Sequence, residues 1–488
     1  MKNKKINIII FVIIVLVLFL IYSPLLIGHF STDTYRLIQM GYKEYSINYS
    51  LNDGRIFMSI IGQIADKLDT NIMVYVIVLT TLAMFISCVC MMLLNKIIFK
   101  YKKKEKILIT TLISYITIMN FMWLENLYFT ECIVMSMSIL LYLMAAYYLN
   151  EGENKIKVFL LVLIGMFCYQ GTINAFLSFY FVFALIKNKK LNKEILQNLF
   201  IAIIICIASV GINMLQIKIC GKMYGLSQTR MGSIKNIFGN IKYIFSNMNK
   251  IVIYSGYMFP KYLLLIFLTI ILIVVSIWDK KKNRRFDNVI NISLIILVTI
   301  VCSISINIVS ISSFGLARML FSIGALIGLI YIYLYCTTDL LQESTILKNI
   351  MLVLLMVYIV INILNTLNIL ISHRQANKLD KQEALKANEY IEQYEKENNI
   401  EVKYIAVTYD ANITYNYREI KNKSLYTHRA LMIWWCNVDI INYYGNRNIQ
   451  KTQIYKDKYE EYFQGKDWNS LDKEQFVFEG DTLYYCVY

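Results

Sequence analysis

The chain is dominated by long apolar runs that are separated by short polar segments. A helix needs about 20 consecutive apolar residues to cross the hydrocarbon core of a bilayer, and about eleven runs approach that length. They lie near residues 6–27, 71–95, 107–124, 127–148, 157–170, 172–187, 197–218, 261–278, 288–309, 315–337 and 347–371. The pattern predicts a polytopic α-helical membrane protein with about 11 transmembrane helices.

The charges that flank these runs predict the orientation of the chain. The first run follows Lys2, Lys4 and Lys5, but it is longer than the apolar part of a secretory signal and has no small-residue cleavage site after it, so we expect a retained helix. Lys and Arg collect in cytoplasmic loops. With the N-terminus in the cytoplasm, the cytoplasmic loops are residues 100–106, 151–157, 187–193, 279–285 and 337–348, and each of the first four contains at least two Lys or Arg residues. We therefore expect a multi-pass cell-membrane protein with an extracytoplasmic C-terminus.

The C-terminal tail has a different pattern. The predicted elements are a charged helix, a buried strand, a further helix and two short strands, over residues 375–398, 401–409, 428–444, 476–478 and 483–488 respectively. The last two strands flank Glu479-Gly480-Asp481-Thr482, which is typical of a hairpin turn. The sequence thus predicts a transmembrane domain over residues 1–371 and a small extracytoplasmic α/β domain over residues 372–488.

Composition and charge narrow the possible partners. The chain of 488 residues is 57% hydrophobic and 17% charged, with a mean hydropathy of +0.50, which leaves too little polar surface to cover a soluble fold. Its net charge of +16 comes from Lys and Arg clusters between apolar runs, where anionic headgroups attract them. We expect membrane lipid, and no nucleic acid, as a partner.

In the tail, Cys436 and Cys486 leave a disulfide and two free thiols equally open.

The first predicted outside loop, residues 28–70, contains the first candidate functional residues. Ser31 is predicted to cap a helix with Asp33 in its first turn, a position that needs no function by itself. Asp53-Gly54 predicts a turn, after which Arg55 would reach the membrane interface as an anchor unless it has a functional partner. A catalytic role for these residues therefore depends on what else lies on the same side.

Further polar residues accumulate on that predicted side. Glu125 and Glu131 interrupt an apolar stretch, and ionisable groups at membrane depth usually line a cavity. Their spacing leaves open whether the two carboxylates form a pair. Tyr169-Gln170 forms a polar break at the outer end of the fifth run, and Arg318 begins the tenth run. Together these residues predict a polar cavity of mixed charge that opens outward.

Two adjacent tryptophans mark the tail. Trp434 and Trp435 follow His428 and Arg429 closely, and aromatic faces with a polar tip commonly stack on sugars. A buried aromatic core is an equally good interpretation of the same segment. The tryptophans are therefore candidate substrate-binding residues.

The order of these features resembles a known class of enzymes. A first helix followed by an outside loop with an aspartate and a juxtamembrane helix resembles the GT-C class of polyprenyl-phosphate-sugar-dependent membrane glycosyltransferases. More narrowly, Asp33, the segment Asn52-Asp53-Gly54-Arg55, the pair Tyr169-Gln170 and Arg318 resemble the GtrII family of O-antigen-modifying glucosyltransferases. The resemblance covers roughly residues 1–370. It implies a GT-C-like fold.

The resemblance also implies a reaction. The donor would be undecaprenyl-phosphate glucose or a related polyprenyl-phosphate hexose, and the acceptor a cell-surface polysaccharide or its lipid-linked precursor. No cofactor is implied, and a divalent cation at Asp33 and Glu125 stays open. Asp33 would be the general base, although Thr32 precedes it where such enzymes commonly have a second acidic residue.

The remaining roles follow from the same resemblance and from side-chain chemistry. Glu125 or Glu131 is a candidate second carboxylate for catalysis. Arg318 and Arg55 are candidates for binding the donor phosphate, because a planar guanidinium matches phosphate oxygens. The resemblance further implies that Asp53, Tyr169 and Gln170 contact substrate.

Two other functions compete with this interpretation. A polysaccharide polymerase would also have many helices and outward arginines, and residues 218–261, with Arg230, form a modest basic outside loop of the kind it needs. A multi-pass transporter or flippase should show internal repeats and helices interrupted near the midplane, and no convincing repeat is found.

Overall fold

The computed structural model describes residues 2–102, 106–226, 237–248, 258–283, 285–308, 317–341, 343, 346–409, 429–466, 468 and 470–487. Side chains at 2–7, 306 and 307 are outside this description. The chain divides into two compact units, each assembled from separate segments. Unit 1 comprises Met1–Ser23, Ser46–Ile64 and Val78–Leu367, and unit 2 comprises Pro24–Tyr45, Ala65–Ile77 and Asn368–Tyr488.

Helices account for most of the described chain. In order they are α1 (Lys2–Ile21), α2 (Ser23–Leu26), α3 (Thr32–Met40), α4 (Tyr42–Tyr45), α5 (Ile56–Lys67), α6 (Ile72–Tyr101), α7 (Ile107–Ile118), α8 (Trp123–Tyr128), α9 (Cys132–Glu151), α10 (Lys155–Cys168), α11 (Asn174–Asn188), α12 (Lys193–Tyr224), α13 (Ile237–Ser246), α14 (Leu263–Lys281), α15 (Asp287–Ile308), α16 (Phe321–Thr337), α17 (Ile346–Asn398), α18 (Asn437–Gly445) and α19 (Lys456–Tyr462). A π-helical turn, Ser46–Leu51, precedes α5, and short 3₁₀ turns cover Gln170–Thr172, Ala317–Met319, Ala430–Met432 and Lys473–Gln475.

The predicted apolar runs and the observed helices correspond closely. Each of the eleven runs overlaps an α-helix, and the runs 6–27, 107–124 and 127–148 also reach the short helices α2 or α8. Among the described residues, six helices are long and apolar enough to cross a membrane: α6, α9, α12, α14, α15 and α17. Residues 8–21 of α1, and α7 and α16, are apolar but shorter. The structure therefore supports a polytopic membrane protein, while the count of eleven stays a prediction.

The interior of unit 1 is formed by helices that are buried on every face. Residues 321–335 of α16 and 174–186 of α11 are buried throughout, which is why neither sequence shows a polar stripe. At Gly324 of α16, a Cβ would lie 2.1 Å from the Asn120 side-chain oxygen, so only glycine allows this approach. In contrast α12 exposes large apolar side chains such as Phe200 and Ile207, as a lipid-facing helix does.

Unit 2 contains a small mixed sheet. Its strands are β1 (Tyr404–Tyr409), β2 (Gln450–Lys451), β3 (Phe476–Glu479) and β4 (Thr482–Val487). Their order in the sheet is β2-β1-β4-β3, with β1 parallel to both neighbours and β3 antiparallel to β4. The predicted hairpin turn is confirmed, because Glu479 pairs with Thr482 and Gly480 has φ +60°.

The C-terminal half of α17 packs on this sheet through Ala384, Ala387 and Ile391. The charged helix predicted over residues 375–398 is confirmed, but it continues α17 without a break. The helix predicted over 428–444 is wrong at its start. Residues 430–432 form a 3₁₀ turn and α18 begins at Asn437, because Asp380 accepts the Ala430 and Leu431 backbone N–H groups and so holds that segment against α17. Residues 410–428 are outside the described ones.

A fully buried ion cluster joins three parts of unit 2. Arg429 donates to Asp380 at 2.6 Å and also to Glu383, and the Tyr485 hydroxyl of β4 contacts the same Glu383 carboxylate. Buried charges need such partners, since an unpaired one is strongly destabilising. Arg429 is thus part of the core rather than of a sugar-binding surface. Cys436 and Cys486 are free thiols in two different core clusters.

Candidate active site

The connection between α7 and α9 positions both candidate glutamates of unit 1. The Asn120 side-chain oxygen accepts the backbone N–H groups of Met122 and Trp123, at 2.9 and 3.1 Å, and so starts α8 after α7 has ended. Glu125 lies in the first turn of α8, and Glu131 is the N-cap residue of α9. Both carboxylates are buried, at 3% and 1% exposure.

Glu125 is bound by Arg318. The Arg318 guanidinium donates to one carboxylate oxygen at 2.9 Å, and the Arg318 backbone N–H donates to the other at 2.9 Å. The guanidinium also lies over the Phe129 ring, 4.4 Å from its centre. Burial raises the pKa of the Glu125 carboxyl, and Arg318 opposes this rise. Arg318 itself lies in the 3₁₀ turn before α16, which begins at Phe321 rather than at 315 as predicted.

Glu131 is bound by the other arginine, Arg55. The two side chains are 3.1 Å apart, Asp53 is 3.6 Å from the same guanidinium, and the Tyr169 ring centre is 5.3 Å from it. Arg55 is only 8% exposed, so the interpretation of Arg55 as an interfacial anchor is wrong. Glu125 and Glu131 therefore do not pair with each other: each binds its own arginine.

The predicted turn at Asp53-Gly54 is present and tightly held. Gly54 has φ +81°, and a Cβ there would approach the Asn213 and Gln170 side chains to 2.6 and 2.8 Å. The Gln170 amide donates to the Asp53 carbonyl at 2.7 Å, and the Asn213 amide donates to the Gly54 carbonyl at 2.9 Å. The turn thereby orients Arg55 toward Glu131.

Sequence reasoning missed Asn174, which connects the two halves of this site. Its amide donates to the Gly171 and Met319 carbonyls, at 3.0 and 2.7 Å, and its oxygen accepts from the Ser322 hydroxyl at 2.8 Å. Asn174 thus joins the 3₁₀ turn Gln170–Thr172 to the 3₁₀ turn Ala317–Met319, which contains Arg318. The only available signal was an asparagine inside an apolar run, which is costly in a membrane and so usually has a role.

Asp33 belongs to unit 2. The predicted cap is confirmed: Ser31 is the N-cap residue of α3, its hydroxyl accepts the Thr34 backbone N–H, and Asp33 is in the first turn. Asp33 is half-buried. Burial raises the pKa of the Cys436 thiol, and the nearby carboxylates of Asp380, Asp33 and Asp439 raise it further.

The same part of unit 2 contains further charges. Burial raises the pKa of Asp439, and the cationic side chains of Arg36 and Lys451 both oppose this rise. Lys451 also lies 4.9 Å from the ring of Trp434. The first turn of α3 and the start of α18 therefore contribute to one group of mixed charge.

The tryptophan pair lies beside this group. Trp434 is 70% exposed and Trp435 is 36% exposed, and their rings meet edge to face at 5.8 Å. The alternative of a buried aromatic core is thus wrong for Trp434. His428, which sequence reasoning had grouped with the pair, is outside the described residues.

The predicted site residues consequently fall into two groups. Unit 1 brings together Asp53, Arg55, Glu125, Glu131, Tyr169, Gln170 and Arg318, and unit 2 contains Asp33, Trp434 and Trp435. No cluster of three or more His, Cys, Asp or Glu side chains suited to a metal ion occurs in the described part of the chain. The unit 1 group offers two buried carboxylates, each paired with a guanidinium, and guanidiniums suit a phosphate.

A model of the family described as Glucosyl transferase GtrII matches residues 22–335, which is more than half of the chain. The chain belongs to this family. The match includes every candidate residue except the two tryptophans. No curated protein and no solved structure matches the chain.

Membership of the GtrII family supports a glycosyltransferase over the transporter alternative. The membrane helices and the family description together support a membrane glucosyltransferase, which uses a sugar donor and a glycan acceptor. The resemblance noted from Asp33, the Asn52–Arg55 segment, Tyr169-Gln170 and Arg318 is confirmed at the level of the family.

Proposed function

We propose that this GtrII protein moves a hexose, with glucose as the proposed sugar, from a polyprenyl-phosphate carrier to a cell-surface polysaccharide or its lipid-linked precursor. The transfer takes place on the extracytoplasmic side of the cell membrane. The basic loops predicted to be cytoplasmic support this orientation, with the N-terminus inside and the tail outside. Nucleotide sugars are made in the cytosol, so a donor that is used outside has to be carried by a lipid.

The observation that supports this proposal most is the pair formed by Arg318 and Glu125. The Arg318 side chain is 14% exposed and that of Glu125 is 4% exposed, so the guanidinium is the more accessible partner of the pair. A guanidinium forms two parallel hydrogen bonds with phosphate. The buried carboxylate and the backbone N–H bond fix its position before a donor binds, which reduces the ordering cost of binding.

Arg55 and its neighbours are proposed to complete the donor site. Glu131 and Asp53 hold the Arg55 guanidinium from two sides, and the ring of Tyr169 packs beside it. In this proposal Arg55 is the second phosphate ligand, while Asp53, Tyr169 and Gln170 shape the wall that contacts substrate. The turn at Gly54 gives this wall its rigidity.

The proposed reaction is a single displacement. The acceptor hydroxyl oxygen forms a bond to C1 of the sugar, the bond between C1 and the phosphate oxygen breaks, and the hydroxyl proton passes to a carboxylate. The configuration at C1 inverts. Asp33 is the proposed general base, and Glu125 or Glu131 is the alternative. Burial raises the pKa of the Glu125 carboxyl, which suits that group to proton transfer near neutral pH.

The exposed Trp434 is proposed to bind the acceptor glycan together with Trp435. An indole that is 70% exposed offers a flat apolar face, which a sugar ring can cover at low entropic cost because the side chain has few rotamers. The charges of Lys451 and Asp439 nearby offer hydrogen bonds to sugar hydroxyls.

The test uses the full chain in proteoliposomes. Radiolabelled polyprenyl-phosphate glucose should pass its label to an extracted glycan acceptor, and a radiolabelled nucleotide sugar should not. Deleting the gene should lower the mass of the surface glycan by one hexose per repeat. Transfer from the nucleotide sugar alone would overturn the proposed donor, and an unchanged glycan mass would overturn the proposed acceptor.

A further inference from the structure

The segment from Trp123 to Glu131 contains a concentration of buried polar atoms that lack hydrogen-bond partners. Trp123 and Asn126 are completely buried, and Thr130 and Glu131 are 3% and 1% exposed. Within the described part of the chain, no partner is found for the Trp123 indole nitrogen, both polar atoms of the Asn126 amide, the Thr130 hydroxyl and the second carboxylate oxygen of Glu131.

Such atoms are costly. A buried donor or acceptor without a partner destabilises a fold by about 1–3 kcal/mol, and native proteins contain few of them. By contrast, both polar atoms of the buried Asn95 amide of unit 1 are satisfied: it donates to the Thr111 hydroxyl at 3.0 Å and accepts from the Ser114 hydroxyl at 2.9 Å. The 123–131 segment holds five of the 18 such atoms found among the described residues, and the same segment carries Glu125 and Glu131.

The chemistry of the unpaired atoms indicates what would satisfy them. The Glu131 oxygen and the Asn126 oxygen are acceptors, which a phosphate without protons would repel. The indole N–H and the Asn126 NH₂ are donors. A ligand must therefore bring donors and acceptors together, and the hydroxyl groups of a sugar ring do both.

We propose that Asn126 and Thr130 bind the hydroxyl groups of the donor's hexose, and that they determine sugar specificity. This assignment rests on the proposed function, in which Arg55 and Arg318 bind the donor phosphate. A site built to hydrogen-bond a substrate hydroxyl rejects ligands that lack it, because its polar groups would stay buried and unpaired.

The first measurement is thermal unfolding of the full chain in detergent without ligand. Asn126→Leu and Thr130→Val remove polar atoms that have no protein partner, so the melting temperature should stay the same or rise. The matched control, Asn95→Leu, removes two formed hydrogen bonds and should lower it. If Asn126→Leu lowers the melting temperature as much as Asn95→Leu does, the amide has a structural role and the proposal is wrong.

The second measurement separates the sugar from the phosphate. Binding of polyprenyl-phosphate glucose should weaken about tenfold in Asn126→Leu and in Thr130→Val, because each variant loses about one hydrogen bond to the sugar. Binding of sugar-free polyprenyl phosphate should not change, and Asn95→Leu should retain the wild-type preference between the two lipids.

The outcomes of the second measurement distinguish the two proposals. If the wild-type protein binds both lipids, and Asn126→Leu and Thr130→Val bind them as tightly as it does, water alone satisfies these atoms. That result would overturn this assignment only. A wild-type protein that binds neither lipid would overturn the proposed donor and this assignment with it.

Discussion

Replacing Arg318 with lysine tests the proposed phosphate ligand with little damage to the fold. The change removes one hydrogen bond, from the guanidinium to Glu125 at 2.9 Å, and keeps the second, because the backbone N–H donates it. A hydrogen bond to a charged group contributes about 1.5–3 kcal/mol, so its loss should lower the free energy of unfolding by about that amount. Lysine also retains the positive charge beside the buried carboxylate.

The Arg318→Lys change should raise the KM for the donor more than the KM for the acceptor. Lysine cannot form the two parallel bonds that a guanidinium makes with phosphate, so we expect a donor KM that is about 10–100-fold higher, or about 1.4–2.8 kcal/mol. The acceptor KM should change little. The assay is transfer of labelled glucose in proteoliposomes, with donor and acceptor concentrations varied separately.

A double variant separates binding from folding. Arg318→Met alone leaves the Glu125 carboxylate buried without its charge partner, which should cost about 3–5 kcal/mol of stability. Adding Glu125→Gln should restore most of that stability, but donor binding should stay weak. If the double variant recovers both stability and the wild-type donor KM, Arg318 only supports the fold and the reasoning is refuted.

Three further predictions follow from the proposed roles. Asp33→Asn keeps the cap of α3 and should lower kcat by about 10²–10⁴-fold with the donor KM retained. If this variant instead transfers sugar at the wild-type rate while Glu125→Gln loses activity, the base is Glu125. Trp434→Ala should raise the acceptor KM and leave the melting temperature unchanged, because the side chain is 70% exposed; a lower melting temperature would point to a structural role. Alkaline phosphatase should be active when fused after Tyr488 and inactive after Lys104, and the opposite activities would reverse the orientation.

Much of the secondary structure was determined by the sequence alone, because it depends on local patterns. An apolar run of membrane length has to satisfy its own backbone hydrogen bonds, so it forms a helix wherever its neighbours lie. Each predicted run accordingly overlaps a helix. The hairpin at Gly480 and the cap at Ser31 are equally local, since each involves residues no more than three positions apart.

The sequence also identified residues that were worth examining, through the cost of placing charges in apolar surroundings. Glu125, Glu131 and Arg318 stood out for that reason, and all three lie within the stretch that the family model matches. Their partners could not be inferred, because a charge can be compensated from any part of a chain. The alternatives left open were a pair between Glu125 and Glu131 and an anchor role for Arg55, and both are wrong.

Only the tertiary structure decided which residues meet. Arg318 reaches Glu125 across 193 positions of sequence, and Arg55 reaches Glu131 across 76. Nor could the sequence show that Asn126 is buried without a partner among the described residues, while Asn95, another asparagine in an apolar run, has two. The physical reason is that helix formation is governed by neighbours along the chain, whereas burial and charge pairing are governed by neighbours in space.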